Sequence, residues 1–171
     1  LIDSLGRVVV CDLGFAKFAQ DKTLMRLTTI GKGTAGYRAP EVMVNQYTSI
    51  GRTLSGSYSG EKSDIWTVAQ IAFMTQSPML PFGEDNKQSN YCVGSILDLH
   101  PTPEAFWRQY DKLSAKYGGA QAGFAPLSES MRSFLGTLWK LDPNERPTFQ
   151  NLHDAAAGDT ATLVQFPGLA W

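Results

Sequence analysis

The sequence is poor in cysteine and histidine, with two of each among 171 residues. Cys11 and Cys92 lie far apart in different contexts, which argues against a disulfide framework and a zinc site and points to reduced thiols. His100 and His153 have no partner at metal spacing, so surface roles are expected for both. No run of lysine and arginine occurs and the formal net charge is -1. The electrostatic footprint of a nucleic-acid or anionic-lipid partner is therefore missing. The longest apolar run, Ile65 to Met74, is interrupted by Thr67 and Gln70 and is too short for a membrane span. No secretory leader opens the sequence and no internal repeat runs through it. These absences predict an intracellular, cytoplasmic protein with neither nucleic acid nor a membrane as partner.

What is present is an ordinary globular composition, 43% hydrophobic and 18% charged, enough for one domain or most of one. Leu1-Ile2 and Val8 to Cys11 flank Asp3-Ser4-Leu5-Gly6, which predicts a small hairpin with its turn near Gly6. The valine run reads as a strand covered on both faces. Asp12 sits where that strand emerges, followed by Gly14. A carboxylate there either starts a turn or serves as a metal ligand held on a rigid strand. Leu1 is already strand-like and is not methionine, so the true chain is expected to begin earlier and these residues to be a fragment.

Phe15 to Gly36 keeps neither a helical nor an alternating period and predicts a long surface loop of the functional kind. Ala39 to Met43 predicts a brief helix with proline in its first turn. Thr48 to Gly60 reads as a flexible insertion. A helix is predicted over Ser63 to Thr75, capped by Ser63 or Asp64, and its apolar residues nearly all round it suit the middle of a domain. A second begins at Thr102-Pro103 with Phe106, Tyr110, Leu113 and Tyr117 on one face. A third follows Ser128 and carries Met131, Phe134, Leu135, Leu138 and Trp139. The last is capped by Thr148 and runs to about Gly158. The fold class is α+β, predominantly α-helical, with one small β-hairpin at the start.

Four motifs occur in order: Asp12-Leu13-Gly14; Gly33-Thr34-Ala35-Gly36-Tyr37-Arg38-Ala39-Pro40-Glu41; Asp64-Ile65-Trp66; and Leu141-Asp142-Pro143-Asn144-Glu145-Arg146-Pro147. Their order resembles the C-terminal lobe of a eukaryotic-type protein kinase of the serine/threonine type, over residues 1–158. Residues 159–171 are then a tail without an assigned role. The resemblance implies that Asp12 is the metal aspartate of the D-F-G motif, with Leu13 in place of phenylalanine. It would meet Mg2+ and ATP beside Gly14, since magnesium prefers carboxylate and phosphate oxygens. Cys11 would face the nucleotide pocket, its plain alternative being a small buried strand residue.

By the same resemblance Phe15 to Gly33 is an activation loop, with Thr29 and Thr28 as phosphorylation candidates and Lys17 as a basic partner for the phosphate. Their alternative is that Thr28 and Thr29 are ordinary polar loop residues. Thr34 corresponds to the threonine that contacts the catalytic aspartate, and Gly-Thr-x-x-Tyr favours serine/threonine specificity. Glu41 and Arg146 correspond to a buried structural ion pair. Asp64 corresponds to the aspartate that holds the catalytic loop backbone, with a plain helix cap as its alternative.

The H-R-D base aspartate, the second metal-binding asparagine, the glycine-rich phosphate loop and the lysine paired with a helix glutamate do not occur. The expectation is a serine/threonine kinase acting on protein hydroxyls, whose N-terminal lobe lies elsewhere in the same chain and whose present residues are inactive alone. The alternative is a pseudokinase lobe serving as scaffold or regulator. Segments 48–60 and 90–127 look expanded, either as recruitment surfaces or as neutral loop growth.

Overall fold

A computed structural model describes residues 1–16, 26–27, 33–34, 36–42, 58–83, 92–99, 103–117, 123–124 and 126–158. Lys17, Thr28, Thr29, His100, residues 48–57 of the first expanded segment, residues 90–91, 100–102, 118–122 and 125 of the second, and the tail 159–171 lie outside the described residues.

The chain opens with the expected hairpin turn. Ile2 pairs antiparallel with Val8, and the Val9 N–H donates to the Leu1 carbonyl at 2.8 Å. Asp3 knots the turn: its Oδ1 accepts the N–H groups of Leu5 and Arg7, both at 2.9 Å, and its Oδ2 accepts Arg7 Nε at 2.8 Å. Beyond that single bridge the valine run forms no strand, and it is not covered on both faces, for Val8 and Val10 are 85% and 83% exposed. An unbroken valine run codes for two-sided burial only where other elements lie over it, and among the described residues none does. Cys11 is exposed as well, which overturns its reading as a small buried strand residue.

The long loop expected over 15–36 is interrupted. Strand β1 (Arg26–Leu27) pairs antiparallel with β2 (Tyr58–Ser59), so the insertion expected to reach Gly60 ends in sheet. Strands of two residues are too short to leave a period in the sequence. Ser59 then caps α1 (Gly60–Met74), its Oγ accepting Lys62 N–H at 3.3 Å. The helix thus starts ahead of Ser63, and Asp64 lies inside it and is not its cap. Strands β3 (Leu80–Phe82) and β4 (Cys92–Gly94) form a parallel pair that the sequence pattern does not announce.

Helix α2 (Glu104–Lys116) buries Phe106, Trp107 and Tyr110. Tyr117, expected on the same face, lies just past the last helical residue and is exposed. Helix α3 (Glu129–Leu138) is capped by Ser128, whose Oγ accepts Met131 N–H at 3.2 Å. Helix α4 (Phe149–Ala156) starts from a reciprocal box: Thr148 Oγ1 accepts Asn151 N–H at 3.1 Å, and Asn151 Oδ1 accepts Thr148 N–H at 2.8 Å. The core is aromatic and centred on α1. Trp139 lies 4.9 Å from Phe82 and 5.6 Å from Phe73, ring centre to ring centre, with Trp66, Phe106 and Trp107 closing around it.

Candidate functional site

Arg146 is, among the described residues, the most heavily hydrogen-bonded buried side chain. Proline and a 3-10 turn over Pro143–Glu145 deliver it into the core, where its side chain is 0% exposed, facing Glu41 at 10%. Its Nη1 donates to Glu41 Oε1 at 2.6 Å and to the Lys62 carbonyl at 2.8 Å. Its Nη2 donates to Glu41 Oε2 at 2.9 Å and its Nε to the Lys140 carbonyl at 2.8 Å. The flat guanidinium lies 5.0 Å over the Trp66 ring. A forked, delocalised cation suits this bidentate and stacked setting, and lysine would not replace it.

Lys62 returns the contact, its Nζ donating to the carbonyls of Arg146 at 2.5 Å and Pro147 at 3.0 Å. Burial pulls its ammonium below the ordinary lysine value, opposed by the charge of Glu61. No sequence signal distinguished Lys62 from a surface lysine.

This knot anchors one end of a loop that carries Thr34. Pro40–Val42 forms a short 3-10 turn that presents Glu41 to Arg146. Upstream, Gly33–Arg38 closes on itself: Tyr37 N–H donates to the Thr34 carbonyl at 3.3 Å, and Arg38 forks onto the Gly33 carbonyl at 2.9 and 2.6 Å. Gly33 and Gly36 take positive φ there, 86° and 85°, which side chains resist. Thr34 stays exposed. Helix α1 supplies the second anchor, since Thr67 Oγ1 donates to the Tyr37 carbonyl and Gln70 Nε2 to the Gly36 carbonyl, both at 3.2 Å.

Asp12 sits apart from these anchors, exposed at the exit of the hairpin. Its backbone is left-handed, φ 60° and ψ 68°, and its side chain makes no capping bond to the 3-10 turn Leu13–Phe15 that follows. A carboxylate that has no partner among the described residues, in a conformation that L-residues rarely adopt, fits a hard cation, which needs one or two carboxylates beside phosphate and water oxygens. Gly14 lies beside that carboxylate: a Cβ at residue 14 would stand 3.4 Å from Asp12 Oδ1, an ordinary contact. Among the described residues no three carboxylate, histidine or cysteine groups gather into a metal cage.

Asp64 keeps an open face to solvent near the start of α1, yet partial burial still raises its carboxyl above the usual carboxylate value. Its charge is felt by Tyr58, whose phenol is raised first by burial and then by Asp64 and Glu41. The structure thus brings Glu41 and Arg146 together and leaves Asp12, Thr34 and Asp64 facing solvent.

The protein kinase domain matches this chain over residues 1–156. The chain belongs to the protein kinase family. CBL-interacting protein kinase 5 of Oryza sativa subsp. japonica is 30% identical over 93% of this chain and 34% of its own length. CBL-interacting protein kinase 24 of the same plant is 33% identical over 53% of this chain and 17% of its own length. Serine/threonine-protein kinase D2 of Rattus norvegicus is 35% identical over 48% of this chain and 8% of its own length. The chain therefore spans about a third or less of the length of these relatives. No solved structure matches. Among the described residues no helix is long and apolar enough to cross a membrane.

Proposed function

We propose that the protein carrying this chain transfers the terminal phosphoryl group of Mg-ATP to serine or threonine hydroxyls of other proteins. The observation that carries the reading is Asp12: an exposed, uncapped carboxylate held in left-handed backbone inside a chain of the kinase family. Strain of this kind persists where a site needs it. Magnesium held there would neutralise phosphate charge, the chief need of phosphoryl transfer. Asp12 would be its ligand, with Gly14 beside it. Cys11 borders the nucleotide. The Gly33–Arg38 loop receives the protein substrate, with Thr34 exposed for contact with the catalytic base.

Serine/threonine specificity rests on the Gly-Thr-x-x-Tyr string and agrees with the printed name of the D2 relative. Glu41 and Arg146 are structural, fixing the far end of that loop. Asp64 orders the backbone of the catalytic loop. Thr29 and Thr28 are phosphorylation sites and Lys17 the cation that receives the phosphate. Residues 1–158 form the C-terminal lobe, and the 171 residues alone transfer no phosphate, because the H-R-D base and the phosphate loop do not occur in them.

The test is phosphate transfer from Mg-ATP to a serine-containing peptide by the full-length protein, with and without Asp12→Ala. Loss of transfer of a thousandfold or more in the variant supports the reading. A full-length protein that folds but transfers nothing refutes it in favour of a pseudokinase scaffold.

A further inference from the structure

Helix α1 is apolar nearly all round, and Gln70 breaks the pattern in its middle. The side chain is 0% exposed. Its Nε2 donates to the Gly36 carbonyl at 3.2 Å, while among the described residues its Oε1 has no hydrogen-bond partner. A buried amide oxygen left unpaired carries a desolvation cost that a methionine or leucine of similar volume would not incur. As core filling, Gln70 is a poor choice. What it does achieve is directional: it holds one carbonyl of the loop that bears Thr34.

The opposite side of that residue is held as well. Gly36 has φ 85°, and a Cβ there would meet Leu80 Cδ1 at 3.0 Å, so its backbone is wedged between α1 and the first residue of β3. One turn back along α1, Thr67 holds the next carbonyl, that of Tyr37. Two successive carbonyls are thus gripped by α1, and Thr34 and Tyr37 are bonded to each other across the turn.

We propose that Gln70 is a positioning residue for the protein substrate: through the Gly36 carbonyl it sets the pose of the Gly33–Tyr37 loop on which the accepting segment docks. The inference rests on the kinase reading given above. It assigns specificity to a side chain buried inside the domain.

The experiment is Gln70→Met in the full-length protein, read by thermal midpoint, by separate KM values for peptide and ATP, and by hydrogen exchange at Tyr37 and Arg38. Expected are an unchanged or higher midpoint, an unchanged KM for ATP, faster exchange in the loop, and a peptide KM raised roughly two- to tenfold, the value of one net hydrogen bond. Unchanged peptide KM and exchange in an active enzyme overturn the proposal. So does a fall in midpoint with both KM values raised, which marks a general structural role. A wild-type protein without transfer overturns the kinase reading and the substrate part of this one, and the exchange result then decides whether Gln70 holds the loop.

Discussion

The hairpin at residues 1–16 and the body around α1 are built on opposite plans. In the hairpin the apolar side chains face solvent and order comes from one carboxylate, Asp3, bonded within its own turn. In the body, Arg146 joins residues from three separate stretches, Glu41, Lys62 and Lys140, beneath an aromatic core. A local polar knot can fix a turn without any core. A long-range knot needs the core around it, because a buried guanidinium is tolerable only when its donors are matched and its charge is paired. The contrast predicts that damage to the body is global and damage to the hairpin local.

Glu41→Gln or Arg146→Met should have the largest effect, a loss of about 3–5 kcal/mol, because each strands the other charge in the core. The double variant should recover part of that loss, and urea unfolding of the set measures the difference. If the single variants behave like surface substitutions, the two regions do not differ in kind.

Ile65→Val, a fully buried methyl deletion on α1, should cost about 0.5–1.5 kcal/mol in the same unfolding experiment. Val10→Ala in the hairpin should remain within about 0.5 kcal/mol, since the side chain is exposed. Equal costs at the two positions would show that the hairpin is covered in solution.

Helix content and the caps at Ser128 and Thr148 were legible because they rest on local rules: periodicity, a capping hydroxyl, proline at a turn. The start of α1 was misread for a similarly local reason. Ser59, Ser63 and Asp64 are all acceptable caps, and pairing of Tyr58 with Leu27 decides for the first. The β3–β4 pair was invisible because three-residue strands show no alternation. Of the candidate site, the ordered motifs identified Glu41 and Arg146, whose meeting the structure shows. Lys62 was not legible, since its partners are backbone carbonyls that no sequence pattern marks. Gln70 left a visible sign, a polar residue in an apolar helix, but its meaning depends on the carbonyl it faces.

The raised carboxyl of Asp64, caused by partial burial, means that the folded state holds its proton more tightly than the unfolded chain does. Its contribution is fully favourable below the unfolded value of about 3.9 and is lost as pH rises through the higher folded value. Asp64→Asn should therefore raise the thermal midpoint at pH 7 and leave it little changed near pH 3. The effect should stay within about 1 kcal/mol, because the carboxylate keeps an open face to water. A lower midpoint at pH 7 would mean that the ionised form has a stabilising partner.

Asp3 should behave in the opposite sense and on a smaller scale. Its carboxyl lies below the usual value because Arg7, through backbone and then side chain, and Leu5 donate to it. The stabilisation is present above the unfolded value of about 3.9 and disappears as pH falls through the depressed folded value. Acidification should free the Leu5 and Arg7 amides first, read as accelerated exchange or a chemical-shift change confined to the turn, with the aromatic core unaffected. Asp3→Asn should reproduce the acid behaviour at neutral pH without moving the global midpoint. Were the midpoint to fall with the turn, the hairpin would be coupled to the body, and the exposed valines would have to be part of a packed face.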